Sequence, residues 1–290
     1  MTATPATGPT PATPATGPTP ASPATGPGHA WIVTDLDGTL VDRNLGLVPR
    51  SVEALRRYRE CGGTVFIATG RNEQSATPYH RELGLDTPMI LYNGARITDP
   101  RTGDHLLDLD LGPAWPPLHD LVVPVLPDGV GAVAFSGSDA HILRDAPALT
   151  DYARRDRIAL LPGPPDGPPT KVMLISDGQD LSPLADLVTR HCPDALLVQS
   201  EDTYLEVLPT GAGKESALRE LAARYGMDLA RIAAIGDNPN DTGMIRLAGL
   251  GAAVGDGHPQ VLKAADIVVT PCSEGAVADL VGRILDGPLP

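Results

Sequence analysis

The chain has 290 residues, of which 42% are hydrophobic and 3% aromatic, and its formal net charge is −14. This length is sufficient for one large or two medium domains, each with its own apolar core. An acidic chain lacks the basic face that attracts nucleic acid and anionic membranes, so we expect neither as a partner. An anionic substrate is still compatible with this charge, because a bound divalent cation reverses the local field.

The first 28 residues repeat Thr, Pro, Ala and Gly, a composition that cannot bury an apolar face. We predict a disordered tail over residues 1–28. The start has no secretory signal pattern, and no apolar run is long enough to cross a bilayer. Three cysteines without a CxxC spacing indicate reduced thiols, so we expect a cytoplasmic protein.

Strands and helices alternate from Ala30 onwards. Three apolar runs predict buried strands, and helical spacing predicts helices between them; the strands are AWIVTDL, TVFIAT and MILYNG. Pro49 is expected at the start of the first helix, and Asn72 is expected to cap the second. Strand, helix and strand in alternation predict a parallel sheet with right-handed crossovers.

The last third of the chain repeats this alternation. A helix closed by Gly226 precedes the strand RIAAIG, and two short strands and a final helix capped by Ser273 follow. The middle of the chain differs, because its sequence pattern predicts half-exposed strands and its loops are rich in proline. We therefore predict an α/β fold with a doubly wound, Rossmann-like core over residues 29–94 and 204–290. Residues 95–203 would form an inserted α+β cap domain.

Two carboxylates follow the first predicted strand, in the motif Asp35-Leu36-Asp37-Gly38-Thr39. Side chains two residues apart on an extended chain point to the same side. The carboxyl ends of strands are where open parallel sheets bind their ligands. Clustered carboxylates are costly unless a cation or a proton compensates them, so this motif indicates a ligand site.

Three further motifs follow predicted strands or begin helices. Thr69 and Gly70 end the second strand in IATGR, where a hydroxyl and backbone amides can hold phosphate. Lys214 begins a helix, and its neighbours do not match a nucleotide-binding P-loop. The loop GDNPND places Asp237 and Asp241 after a buried strand, which suits an oxygen site for Mg²⁺.

The ordered set DLDGT, IATGR, a lysine before a helix, and GDNPND resembles the four motifs of haloacid dehalogenase (HAD) superfamily phosphatases. YNGA at 92–95, EVLP at 206–209 and the insertion resemble the Cof-like branch with a type II cap. The similarity extends over about residues 30–290. Two departures from the family pattern are Glu215 after the lysine and the segment Asp256-Gly257-His258.

The resemblance implies a role for each motif residue and Mg²⁺ as the cofactor. Asp35 would be the nucleophile and a metal ligand, and Asp37 the general acid-base, with its backbone carbonyl on the metal. Asp237 would be the third metal ligand. The remaining residues would bind the phosphoryl group or position the loop and the substrate; they are Thr69, Gly70, Lys214, Asn240 and Asp241.

The expected reaction is hydrolysis of a small phosphorylated metabolite through a phospho-aspartate intermediate. A phosphomutase or phosphotransferase would keep every motif, so it is the alternative with the same mechanism. A signalling receiver module is disfavoured because its acids are usually adjacent, and a catalytically dead binder because all four motifs hold competent residues. The sequence does not define the oligomeric state.

Selectivity is expected to come from the cap, which can cover the site. Residues 95–203 offer few aromatic side chains for stacking on a nucleobase, namely Trp115, Phe135 and Tyr152. Polar candidates are more numerous: Arg96, His105, His119, His141, Arg144, Arg154, Arg155, Arg157 and Lys171. We therefore predict a sugar or polyol phosphate in preference to a nucleotide.

Overall fold

The computed structural model describes residues 28–201 and 203–286, so most of the predicted tail lies outside the described residues. The first segment alternates strands and helices as predicted. Its elements are β1 (Trp31–Thr34), α1 (Pro49–Glu60), β2 (Thr64–Ala68), α2 (Glu73–Glu82), β3 (Met89–Leu91), β4 (Arg96–Thr98) and β5 (His105–Asp108).

The middle segment forms a second set of strands and helices. Its elements are α3 (Trp115–Pro117), β6 (Gly131–Ser136), β7 (Asp139–Arg144), α4 (Pro147–Asp156), β8 (Leu160–Pro162), β9 (Lys171–Ile175), α5 (Ser182–His191), β10 (Ala195–Glu201) and β11 (Tyr204–Pro209). The last segment returns to the first sheet. It contains α6 (Lys214–Tyr225), β12 (Ile232–Gly236), α7 (Thr242–Leu247), β13 (Leu250–Ala253), α8 (Pro259–Leu262), β14 (Ile267–Val268) and α9 (Ala276–Asp286).

The first sheet has the strand order β14-β13-β12-β1-β2-β3-β4-β5 and is parallel from β14 to β3. Its two faces contribute to different apolar clusters: Ile32 packs on the side of α1 and α9, and Val33 packs on the side of α6. Burial on both faces explains why these strands are continuous apolar runs. The sheet confirms the predicted α/β fold with a parallel, Rossmann-like core.

The second sheet has the order β10-β11-β9-β6-β7-β8 and is antiparallel except between β7 and β8. The prediction that its strands are half-exposed is wrong for β9, which is buried throughout, and for β6, in which only Ser136 is partly exposed. Val172 packs in one cluster with Leu118 and Val188, while Met173 belongs to the large core cluster. Both faces are therefore covered, one of them by a helical segment over residues 115–125.

The sheet pairing differs from the predicted boundaries of the inserted domain. β4 and β5 extend the first sheet as antiparallel strands, although the insertion was predicted to start at residue 95. The chain reverses at Tyr92 and Asn93, which both have positive φ, and this tight turn keeps β4 beside β3. At the other boundary, β11 pairs with β9 and β10 in the second sheet, whereas the sequence predicts that the core resumes at residue 204.

Local sequence signals set several helix ends as predicted. Pro49 begins α1, Asn72 caps α2 by accepting a hydrogen bond from the Ser75 amide, and Gly226 ends α6 in the left-handed conformation. The prediction for Ser273 is wrong: it lies in a 3₁₀ turn, and Gly275 at φ 94° separates this turn from α9.

Within residues 28–201 and 203–286, no helix is both long enough and apolar enough to cross a membrane.

Candidate active site

The ends of two neighbouring parallel strands bring the first and last motifs together. β1 and β12 pair in register through Thr34 and Ile235. The Asp35 amide continues this pairing by donating a hydrogen bond to the Ile235 carbonyl at 3.0 Å. Asp35 and Asp237 therefore lie at the same carboxyl edge of the sheet, as the sequence predicts for residues that follow adjacent parallel strands.

Lys214, the first residue of α6, links two of the carboxylates. Its Nζ atom lies 2.6 Å from Asp35 Oδ1 and 2.6 Å from Asp241 Oδ1, and its side chain is only 1% exposed. Burial alone would lower the pKa of Lys214, but the Asp241 and Asp35 carboxylates raise it above its usual value. Lys214 is therefore a fixed positive charge beside Asp35.

Asp35, Asp237 and Asp241 form a carboxylate cluster whose ligand atoms lie within 4.8 Å of one another. Burial raises the pKa of Asp35 well above its usual range, and the nearby Asp241 and Asp237 carboxylates add to the rise while Lys214 opposes it. Burial, followed by the effect of Asp241, raises the pKa of Asp237 to about 7. These shifts mean that one lysine does not balance the negative charge. A divalent cation bound by oxygen ligands would do so, and this donor set suits Mg²⁺.

Asp241 also organises the loop that contains it. Its Oδ2 atom accepts hydrogen bonds from the amides of Asp237 and Asn238, each at 3.0 Å, while Oδ1 accepts from Lys214. Its side chain is fully buried. Because both oxygens already accept hydrogen bonds, its position fits a supporting role more closely than that of a metal ligand.

Two contacts with Asp237 explain why the first motif contains glycine at position 38 and a hydroxyl side chain at position 39. Gly38 has φ +77°, and a Cβ atom there would collide with the Asp237 carboxylate. Thr39 Oγ1 donates a hydrogen bond to Asp237 Oδ1 at 3.1 Å. The turn after Asp37 therefore packs directly against the second acidic loop, and only glycine fits at the contact.

The side chain of Asp37 does not join the carboxylate cluster. It is 47% exposed and is held by Arg71, whose Nε and Nη2 atoms donate to its two oxygens at 2.8 and 2.7 Å. Such a bidentate pair fixes both the position and the plane of the carboxylate. Arg71 was not among the predicted site residues, although it ends the IATGR motif directly after Thr69 and Gly70.

The predicted phosphate-binding residues lie beside this pair. Thr69 is buried, and its Oγ1 atom accepts a hydrogen bond from the Arg71 amide at 3.1 Å. Gly70 lies against the side chain of Asn93, which would crowd a Cβ atom at 3.0 Å. Asn240 donates from Nδ2 to Asn93 Oδ1 at 2.8 Å. Asn93 thus joins two motifs that are far apart in sequence.

A pocket of about 120 Å³ opens between the two sheets next to these residues. The predicted site residues that line it are Asp35, Asp37, Gly70 and Asn240. The second sheet and its helix contribute Tyr152, Arg155, Asp156, Lys171, Met173, Tyr204 and Glu206. Of the polar cap residues predicted from sequence, only Arg155 and Lys171 are among its lining residues. Its small volume and concave shape suit a small molecule.

Comparisons with known proteins agree with this geometry. A family model of haloacid dehalogenase-like hydrolases matches residues 32–281. The HMP-PP phosphatase of Cronobacter sakazakii is 31% identical, with 88% of this chain and 95% of that protein aligned. The pyridoxal phosphate phosphatase YbhA of Escherichia coli is 26% identical, with 86% of this chain and 96% of that protein aligned.

A solved structure shows the same likeness. The crystal structure of a haloacid dehalogenase-like hydrolase from Bacteroides thetaiotaomicron superimposes with a TM-score of 0.79 at 27% identity. The superposition covers 89% of this chain and 100% of that one. With its ordered motifs gathered at one sheet edge, the chain belongs to the family of haloacid dehalogenase-like hydrolases.

Proposed function

We propose that this hydrolase is a Mg²⁺-dependent phosphatase that acts on a small phosphorylated metabolite through a phospho-aspartate intermediate at Asp35. The observation that carries the proposal is the environment of Asp35. Its carboxylate lines the pocket, its side chain is 8% exposed, and the Lys214 ammonium lies 2.6 Å away. A carboxylate fixed beside a buried cation at a pocket wall is suited to attack a phosphorus atom and to stabilise the charge that develops there.

In the first step, an oxygen of Asp35 attacks the phosphorus, and the bond between phosphorus and the leaving oxygen breaks. Asp37 donates its proton to that oxygen, so that an alcohol leaves. In the second step, Asp37 removes a proton from water as the water attacks the phosphorus of the phospho-aspartate. This attack releases inorganic phosphate and restores the Asp35 carboxylate and the protonated Asp37.

The side chains of Asp35 and Asp237, with the backbone carbonyl of Asp37, would hold the magnesium ion. The ion would supply positive charge that offsets the repulsion between the nucleophile and a phosphate oxygen. The raised pKa values of Asp35 and Asp237 support this assignment, because they indicate negative charge that the described side chains do not balance. Lys214 and Thr69 would bind the transferring phosphoryl group.

We favour a sugar or polyol phosphate as the substrate. The residues that line the pocket include hydrogen-bonding groups, among them Arg155, Asp156 and Asn240. The Arg155 guanidinium lies 5.1 Å from the centroid of the Tyr204 ring, so one face of this ring already holds a planar group. This contact leaves less room for a nucleobase to stack on Tyr204. A nucleotide phosphatase is therefore the less favoured alternative.

The relatives support a small phosphorylated metabolite, since two of them are named as phosphatases of HMP-PP and of pyridoxal phosphate. A phosphomutase or phosphotransferase of the same superfamily is the alternative reaction. We also place the enzyme in the cytoplasm, with no nucleic acid or membrane partner. Its free cysteines support this location.

A screen of phosphorylated metabolites tests the proposal. Sugar phosphates, polyol phosphates and nucleoside monophosphates are each incubated with the protein and Mg²⁺, and released phosphate is measured. We expect release that is abolished by a chelator and restored by Mg²⁺, with the highest kcat/KM for a sugar or polyol phosphate. Full activity in chelator would refute the metal assignment. Phosphate that reappears on a second organic product would identify a transferase, and a clear preference for nucleotides would overturn the substrate class.

A further inference from the structure

Lys171 and Glu206 form a buried ion pair in the second sheet, on the side that faces the catalytic loops. Lys171 Nζ lies 2.9 Å from Glu206 Oε2, and the two side chains are only 3% and 4% exposed. The residues belong to the adjacent strands β9 and β11. Replacing such a pair with apolar residues of similar volume is often neutral or stabilising. Folding stability alone therefore gives little reason for charges here.

Lys171 has a second contact, which reaches the first sheet. Its Nζ atom donates to the Gly70 carbonyl at 2.9 Å. The amide of the same peptide group, on Arg71, donates to Thr69 Oγ1 at 3.1 Å. Both polar ends of the peptide between Gly70 and Arg71 are therefore fixed. The orientation of this peptide sets the position of the Arg71 Cα atom and the direction of its side chain. The Arg71 guanidinium in turn donates two hydrogen bonds to the Asp37 carboxylate.

Glu206 also has a second contact, and it leads to the other acidic loop. Its Oε2 atom accepts a hydrogen bond from Asn93 Nδ2 at 3.1 Å. Asn93 Oδ1 accepts from Asn240 Nδ2 at 2.8 Å, and the Asn93 amide donates to the Thr69 carbonyl at 3.0 Å. Asn93 has φ 54° and ψ 29°, a left-handed conformation that directs its side chain into this network.

We infer that Lys171 and Glu206 are positioning residues, through which the second sheet fixes the Gly70–Arg71 peptide and the Asn240 side chain. The ion pair is the point at which both branches meet, since each partner makes one bond to the other and one bond to a loop of the first sheet. The rate effects expected below rest on the proposed phosphatase function. The expected changes in amide hydrogen exchange and the expected melting temperature do not depend on that function.

The main test variant is Lys171→Met combined with Glu206→Met, which replaces the pair with two apolar side chains of similar length. The matched control is Asp99→Asn, which removes a carboxylate of similar burial, 8% exposed, from its pair with Arg101. Asp99 is not among the residues that line the pocket. A second variant, Asn93→Gly, keeps the positive φ accessible and removes only the branch from Glu206 to Asn240.

We expect kcat to fall about 10–100-fold in the double variant, the usual scale for residues that orient a catalytic group. KM should change little, and the inhibition constant for orthovanadate, which mimics the transition state, should rise by a factor similar to the loss in kcat/KM. In Asn93→Gly, kcat should also fall and the inhibition constant for orthovanadate should also rise. In Asp99→Asn, both should stay near their wild-type values. The melting temperature of the double variant should stay near that of the wild type.

Two results would overturn the inference. A double variant with wild-type kcat would show that the pair is only structural. A raised KM with unchanged kcat would show that Lys171 binds the substrate directly.

Amide hydrogen exchange gives an answer that does not depend on turnover. Peptides that cover residues 69–72 should exchange faster in the double variant than in the wild type, Asn93→Gly and Asp99→Asn, because only the double variant loses the Lys171 bond to the Gly70 carbonyl. Peptides that cover residues 237–241 should exchange faster in both the double variant and Asn93→Gly, because both lose the branch that ends at Asn240. Unchanged exchange in both loops of the double variant would contradict the positioning role, whatever the activity. If the wild-type protein releases no phosphate in the metabolite screen, the proposed function fails, and the exchange experiment still decides the role of Lys171 and Glu206.

Discussion

Asp237→Asn removes one negative charge from the carboxylate cluster while it keeps the oxygen that accepts from Thr39. In the folded protein without metal, burial and then Asp241 raise the pKa of Asp237 from 3.8 to about 7. A folded-state pKa above the unfolded value means that the ionised group opposes folding. This opposition is absent below the unfolded pKa, grows as the pH rises and is complete above about 7.

The expected size follows from the two pKa values. Ionisation of Asp237 would cost about 2 kcal/mol of folding free energy near pH 5 and about 4 kcal/mol near pH 8. The stability advantage of Asp237→Asn in chelator should therefore increase by up to about 2–3 kcal/mol between these conditions. For a protein of this size the change corresponds to roughly 5–10 °C in melting temperature.

Thermal unfolding in chelator, near pH 5 and near pH 8, measures this difference for the wild type and the variant. Asp194→Asn, at an exposed position, is the control. Addition of Mg²⁺ near pH 8 should stabilise the wild type and have much less effect on Asp237→Asn, because the variant lacks one of the proposed metal ligands. An advantage of Asp237→Asn that is equal at both pH values would refute the electrostatic reasoning.

Three further substitutions test other parts of the site. Lys214→Met should abolish turnover and lower the free energy of unfolding by about 3–5 kcal/mol, because two buried carboxylates lose their cation; denaturant unfolding with wild-type stability would contradict this. Gly38→Ala should weaken stabilisation by Mg²⁺, since its Cβ displaces Asp237; an unchanged melting response to Mg²⁺ would count against that contact. Arg71→Lys should reduce kcat about 10–100-fold, because lysine cannot hold both oxygens of Asp37; wild-type kcat would show that the bidentate pair is dispensable.

The parallel sheet was predictable because its strands are buried on both faces and are therefore continuous apolar runs. The positions of Asp35 and Asp237 followed from the same argument, since each comes directly after a buried strand. Lys214 could be named because a lysine before a helix is the third of the ordered motifs that carry the family resemblance. Its contact with Asp35 could not be derived from the residues alone, because it depends on how α6 is oriented against the sheet.

The second sheet was harder to predict. In β6 the residues of both faces are apolar, but two of them are alanines, and the pattern suggested one exposed face. The segment that covers this face, residues 115–125, contains prolines and short irregular turns, so it has no helical period to recognise. The roles of Arg71 and Glu206 were not predicted because their partners are distant in the sequence. Their partners, Asp37 and Lys171, are 34 and 35 residues away, and nothing local in the sequence indicates either pair.

Covalent labelling of Asp35 tests the proposed mechanism most directly. The wild-type protein is mixed with Mg²⁺ and a substrate from the screen that carries a radioactive phosphoryl group, and the reaction is quenched in acid during turnover. We predict that peptide mapping finds the label on Asp35 and that Asp35→Asn neither becomes labelled nor turns over. Turnover by Asp35→Asn near the wild-type rate, or a label on another residue, would contradict the phospho-aspartate mechanism.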